Sequence, residues 1–202
     1  MPGSSILPVA LHKGSLYFLF GKENPLEDSA PGFSDFGGGL EAGESEFETA
    51  IREGGEELTG FLGDGEQIRK YINSAGGPLI IKHGTAENPK QNYTVHVIPF
   101  NYDPMLPIYY NNNHRFLWNK MDHKTLSATK LFEKIEIAWF SEADLRSRMS
   151  EYRHFYQDVV KMIIQKLPQI RTYLKKRANK TRLTQKTPPS KSRSKTQKQR
   201  GG

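Results

Sequence analysis

Three consecutive glycines, Gly37-Gly38-Gly39, lead into a strongly marked helix start. Ser45 and Glu48 stand three residues apart, the spacing at which each side chain takes an otherwise unpaired N–H of the first turn. Phe47, Ala50, Ile51 and Leu58 then recur at helical spacing and are expected to face a core, with Gly60 as the stop. A fold for this chain must therefore set bare backbone beside an amphipathic helix. That helix is unusually acidic. With each residue advancing about 100°, Glu53, Glu56 and Glu57 project within about 80–100° of one another, mostly apart from the apolar stripe. Like charges at this spacing repel by a few tenths of a kcal/mol per pair. The plain explanation is a solvated acidic face. The chemical one is a hard cation: Mg²⁺ prefers oxygen ligands, keeps several waters, and sits well between a few carboxylates and a phosphate. Arg52 lies four residues before Glu56 and is placed to brace it.

Strands are expected at 5–12 and 15–22, joined by a turn at Lys13-Gly14, and again at 79–83, 91–100 and 134–140. Some helix is expected around 114–132. Tyr152, Phe155, Tyr156, Val159, Ile163 and Leu167 form one stripe, predicting a single long closing helix. Cysteine is absent, which removes disulfides, zinc–thiolate sites and thiol nucleophiles. The first residues carry no basic stretch ahead of a short apolar run, so no secretory signal is expected, and no run reaches the roughly 18 apolar residues of a membrane span. An intracellular location, cytoplasmic or nuclear, is the expectation.

Charge is divided sharply along the chain. Residues 171–200 hold 12 of the 29 basic residues and none of the 22 acidic ones, so the overall +7 becomes −5 for residues 1–170. A body at 1–170 and a disordered, low-complexity basic tail at 171–202 are expected, with no core residue beyond about Arg171.

The stretch 38–57 resembles the Nudix box, G-x5-E-x7-R-E-U-x-E-E-x-G-U, where U is a bulky aliphatic residue: Gly38, Glu44, Arg52, Glu53, Glu56 and Glu57 all fall at the family's spacing. Three positions depart from it. Gly54 stands at an aliphatic position, Thr59 at the glycine with Gly60 one residue later, and Phe36 where many members have proline. Gly54 and Gly55 together should weaken the helix by roughly 2 kcal/mol relative to alanines, so either the backbone packs unusually close there or the helix is distorted. The resemblance covers residues 1–170 and implies an α/β/α sandwich with a mixed sheet. It also implies Mg²⁺- or Mn²⁺-dependent hydrolysis of a phosphoanhydride bond in a nucleoside diphosphate linked to another moiety. Carried over by position, Glu53 and Glu57 are the main metal ligands, Glu56 a further ligand or the base for the attacking water, and Gly38 a carbonyl ligand. Arg52 orients the glutamates and Glu44 supports the loop and helix start. Glu133 and Glu136 are candidates for a further catalytic glutamate.

Other residues are less specific. Lys22, at the end of the second strand, is a candidate phosphate contact. His96 either lines a pocket or is structural, the latter favoured, and the remaining histidines show no metal-ligand spacing. Tyr109, Tyr110, Phe116 and Trp118 could stack on a base, although aromatics at this density more often build core. The tail suits RNA or another polyanion, through phosphate contacts that carry little sequence information. Two alternatives to a small-nucleotide hydrolase follow. One is a decapping-type enzyme on RNA 5′ ends that uses residues 171–200 to hold RNA. The other is a nonenzymatic RNA-binding module, against which the intact glutamates argue.

Overall fold

The computed structural model describes residues 2–25, 30–84, 87, 92–128 and 133–186, with side chains to residue 177. The strands are β1 (Gly3–His12), β2 (Ser15–Glu23), β3 (Phe33–Ser34), β4 (Phe36–Gly39), β5 (Leu79–His83), β6 (Tyr93–Pro99) and β7 (Lys134–Ser141). The helices are α1 (Glu46–Glu57), α2 (Gly65–Ser74), α3 (Leu106–Lys120), α4 (His123–Ala128), α5 (Asp144–Ser147), α6 (Tyr156–Gln165) and α7 (Leu167–Lys186).

The β1–β2 hairpin turns at Lys13 and Gly14 with φ of 49° and 86°, the left-handed pair that a two-residue hairpin loop requires. β1 organises the seven-stranded sheet. One edge runs parallel to β6, while the other is divided between β2, from Val9↔Phe18 to His12↔Ser15, and β4, from Gly3↔Gly39 to Ile6↔Phe36. β7 pairs antiparallel with β2, and β5 with β6. The sheet is mixed, as expected.

Alternation along the strands divides the core in two. Leu7, Val9, Phe18, Phe20, Val95 and Val97 pack with Tyr156, Val159, Val160 and Ile163 of α6. Ile6, Leu19, Ile98 and Ile137 face the opposite way, onto Ala50 and Ile51 of α1 and Ile68 and Ile72 of α2. This is the expected α/β/α sandwich.

Two expectations are corrected. The closing helix is two helices, because Pro168 lies in the first turn of α7, where it needs no N–H but cannot continue α6. The helix expected around 114–132 is present, as α3, which starts earlier at Leu106, and α4; residues 129–132 lie outside the described residues. The chain also does not leave the body at Arg171. α7 continues to Lys186, Leu174 is in the core at 5% exposure, and Tyr173 donates from its hydroxyl to the Gly77 carbonyl at 2.7 Å. Arg171 pairs with Glu142, and Arg177 donates to the carbonyls of Ala75 and Gly76. The tail beyond residue 186 lies outside the described residues. Among the described residues, no helix is long and apolar enough to cross a membrane.

Candidate active site

The capping box forms as the sequence predicts: Ser45 Oγ accepts from Glu48 N, and Glu48 accepts from Ser45 N at 2.9 Å. α1 then runs unbroken through Gly54 and Gly55. A Cβ on Gly54 would lie 2.3 Å from Ile6 Cδ1, so the missing side chain is what lets α1 press onto β1. Close packing, and not a distorted helix, accounts for that departure. Thr59 (φ 51°) and Gly60 (φ 73°) turn the chain out of the helix.

The same closeness brings β4 onto the acidic face. Gly37 N donates to Glu57 Oε2 at 2.7 Å. A Cβ on Gly38 would lie 2.5 Å from Glu53 Oε1, so only glycine admits that carboxylate against the strand. Arg52 grips two carboxylates at once. Its Nε and Nη2 meet Glu44 at 2.7 and 3.0 Å, and its Nη1 meets Glu53 Oε1 at 2.8 Å. Glu56 Oε2 stands at 3.8 Å, so the brace expected on Glu56 is real but is the loosest of the three. Hydrogen bonding from Arg52, then from Thr49, pulls the Glu44 carboxyl down to about 2. The glutamates in turn raise Arg52. Glu44, Arg52 and Glu53 thus form one hydrogen-bonded clamp.

Glu57 faces inward and is only 4% exposed. Its counter-charge is Lys134, on β7, at 2.9 Å, with a side chain that has no exposed surface. Lys134 Nζ also meets Glu23 Oε2 at 2.6 Å and Ser34 Oγ at 3.3 Å, and Arg153 Nη1 donates to the same Glu23 oxygen at 3.2 Å. Burial pushes Glu57 up to about 8, against the pull of Lys134. Burial alone would lower Lys134, but Glu57 and Glu23 outweigh it and hold the ammonium charged. Glu23, Lys134 and Arg153 were not among the sequence-derived candidates.

The remaining candidates are spread more widely. Lys22 is half-exposed and faces Glu136 across the β2–β7 pair at 3.8 Å. Glu133 accepts from Asn24 N at 2.9 Å through its carbonyl, and its charge adds to the repulsion on Glu57. His96 is buried, with Nδ1 3.1 Å from the Ser5 carbonyl, which is a structural placement. Tyr110 donates to the Lys134 carbonyl at 3.1 Å, whereas Tyr109 and Phe116 are exposed and Trp118 stacks on His114 and His123.

Whether these groups fit a divalent cation depends on the donor set. Among the described residues, no three Asp, Glu or His side chains close on one point. A Mg²⁺-like ion needs only one or two carboxylates, with waters and substrate phosphates completing its shell. Glu53, lying against the Gly38 backbone, and Glu56, which shares Arg52 Nη1 with it, are two carboxylates of that kind. Glu57 as it stands has one oxygen on Gly37 N and the other on Lys134.

No family model matches the sequence, and no curated protein matches it. Among solved structures, the chain is similar to a MutT/Nudix family protein from Listeria innocua (TM-score 0.47, 14% identity, 83% of this chain and 94% of that one). It is similar to a C. elegans Ap4A hydrolase in a binary complex (TM-score 0.43, 12% identity, 83% and 97%). It is also similar to the NUDIX domain of Shewanella oneidensis NrtR complexed with ADP ribose (TM-score 0.43, 12% identity, 83% and 88%). The likeness is loose, and the functional reading rests on the side chains described above.

Proposed function

We propose that α1 and β4 form the active site of a divalent-metal-dependent hydrolase that cleaves a phosphoanhydride bond in a nucleoside diphosphate linked to another moiety. The observation that carries this is the Arg52 clamp: one guanidinium holds Glu44 and Glu53 while Glu53 lies against the bare backbone of Gly38. A merely solvated acidic face has no need of that cradle. Glu53, Glu56 and the Gly38 carbonyl would hold Mg²⁺ or Mn²⁺, with Glu57 joining by exchanging its contact with Lys134. The ion would neutralise phosphate oxygens and make water a competent nucleophile at neutral pH.

The protein's own part is positioning and proton transfer. Arg52 fixes Glu53, and Glu44 with Thr49 fixes Arg52. Glu56, 3.8 Å from Arg52 and a third exposed to solvent, is the group assigned to take a proton from the attacking water. Lys134 keeps the buried Glu57 and Glu23 tolerable before any cation arrives. A second reading, hydrolysis at RNA 5′ ends, is favoured by one observation, the acid-free basic run at 171–200.

The test is a panel of nucleoside triphosphates, dinucleoside polyphosphates, nucleotide sugars and capped RNA, assayed with Mg²⁺ or Mn²⁺ and with chelator. Turnover is expected to vanish in EDTA and return with metal. Glu56→Gln should reduce it roughly 10²–10⁴-fold, the usual worth of positioned proton transfer. Full turnover in chelator, or wild-type rates in both Glu53→Gln and Glu56→Gln, would sink the assignment.

A further inference from the structure

The aromatic residues of α3 divide between the body and the outside. Tyr110 and Trp118 are half-buried, the first held by the Lys134 carbonyl and the second by His114 and His123. Tyr109 and Phe116 turn outward and are 63% and 60% exposed. Large apolar side chains scattered singly over a surface need no explanation. These two are not scattered. Seven positions apart on one helix, they project within about 20° of each other and stand about 10 Å apart along the axis. Asn112 and Asn113, both exposed, lie between them and within about 60° of either ring. Lys120 continues the line at the C-terminal end, about 40° from Phe116. Arg115 is drawn back along its flank, donating from Nη2 to Asn112 Oδ1 at 2.9 Å and from Nε to the Asn111 carbonyl at 3.3 Å.

The inner face of α3 makes this outer face a fixed platform. Asn111 exchanges two hydrogen bonds with the backbone of Ile137 on β7, at 2.9 and 3.2 Å. Tyr110 Oη also lies 3.4 Å from the Glu57 carbonyl, so α3 borders the C-terminal end of α1. Charge sets the helix apart from the rest of the body. Residues 104–121 hold Arg115 and Lys120 and no acid, whereas residues 1–170 together carry −5.

Along the helix the order is ring, amides, ring, ammonium, with a guanidinium at the flank. A lipid surface calls for an unbroken apolar face, which Asn112 and Asn113 interrupt. A second copy of the chain would bring the acidic body against a face that ends on Lys120, and protein interfaces are depleted of lysine. A single strand of nucleic acid alternates flat bases with phosphates, and is bound by rings that stack on the bases among cations that follow the backbone. We propose that the outer face of α3 is a docking surface for single-stranded nucleic acid, with bases stacked on Tyr109 and Phe116 and phosphates met by Arg115 and Lys120. The surface is independent of the hydrolase reading and of the basic run at 171–200.

The test is fluorescence anisotropy of a short labelled single-stranded RNA with the full chain, in EDTA, where no hydrolysis is expected, and of the duplex of the same sequence. Tyr109→Ala and Phe116→Ala should each weaken the single strand about fivefold or more, within the usual worth of base–aromatic stacking, and Phe116→Trp should keep the affinity. The slope of log affinity against log salt should stay as in wild type for these variants, because the rings meet bases. Arg115→Gln combined with Lys120→Gln should instead flatten it by about 1.4, from roughly 0.7 per phosphate. The basic run is present in every variant, so the ratios report α3 alone. Both rings are more than half exposed, and thermal unfolding should show all variants folded. Unchanged single-strand affinity in Tyr109→Ala and Phe116→Ala overturns the proposal, and so does an equal loss on the duplex, whose bases are closed to stacking. In the first case, a dimer that these variants dissolve in sedimentation gives the face to a second copy of the chain, and lost binding to phosphatidylserine vesicles gives it to a membrane. Stacking-dependent binding without hydrolysis in metal leaves the surface standing and removes the hydrolase reading.

Discussion

Asp35 stands immediately before β4 with no exposed surface, accepting hydrogen bonds from the Ser5 hydroxyl and from Tyr93 Oη at 2.7 Å. Burial pushes its carboxyl up to about 6, although both hydroxyls pull the other way. An acid whose folded pKa lies above its unfolded value contributes stability that is complete below about pH 4 and is lost as pH rises through about 6. A rise of that size corresponds to at most about 3 kcal/mol. Asp35→Asn has no proton to lose there, so the variant should gain on wild type between pH 4 and 7 by up to about 3 kcal/mol. Denaturant unfolding of both proteins across that range checks this; a constant difference removes the assignment. Single residues were also the least legible level of the sequence. Lys134 opens a strand, where a lysine ordinarily reads as a solvated end. Its burial depends on Gly21, where a Cβ would lie 2.8 Å from Lys134 Cγ, and on Glu23, 111 positions away in sequence. Only the register of β2 against β7, with its irregularity at Lys22/Glu23, reveals that room.

At the scale of elements, α1 offers a controlled comparison. Gly54 and Gly55 are neighbours in one helix, and propensity alone gives each alanine substitution a gain of about 1 kcal/mol. Packing separates them. A Cβ on Gly55 would meet Ile68 Cδ1 at 3.5 Å, an ordinary contact, whereas one on Gly54 would lie 2.3 Å from Ile6 Cδ1, whose side chain has no exposed surface. Gly55→Ala should therefore stabilise the chain by up to about 1 kcal/mol, while Gly54→Ala should destabilise it by about 1–3 kcal/mol through overpacking. Ile6→Val should recover part of the second loss. Chemical denaturation of the variants decides it, and a stabilising Gly54→Ala would mean that α1 does not press on β1 as described. α1 was legible because its cap, stripe and stop are all local. α2 carries an equally local signal, the Asp64–Gln67 capping box with Ile68 and Ile72 at helical spacing, and could have been found the same way. The break between α6 and α7 was marked by Pro168, but the continuous apolar stripe obscured it.

For the whole molecule, the question is where the body ends. Composition placed the end near residue 171, because charge and low complexity set in there. Core contacts instead persist to Leu174 and polar ones to Arg177, since an amphipathic helix can send basic residues to solvent while two apolar positions reach the sheet. Two truncations separate the regimes. Ending the chain after residue 170 removes Leu174, the Tyr173–Gly77 hydrogen bond and the Arg171–Glu142 pair. By the usual cost of losing a buried leucine this should destabilise the body by at least about 2–5 kcal/mol. Ending it after residue 186 should leave thermal stability and small-nucleotide hydrolysis unchanged. It also deletes five basic residues, Lys191, Arg193, Lys195, Lys198 and Arg200. If those side chains meet RNA phosphates, affinity for a labelled single strand should fall, and the slope of log affinity against log salt should flatten by up to about 3.5, from roughly 0.7 per phosphate. Fluorescence anisotropy from low to moderate salt measures both quantities on one oligonucleotide. An unchanged slope would remove RNA from the role of residues 187–202. A loss of stability in the chain that ends after residue 186 would move the boundary of the body once more, past that residue.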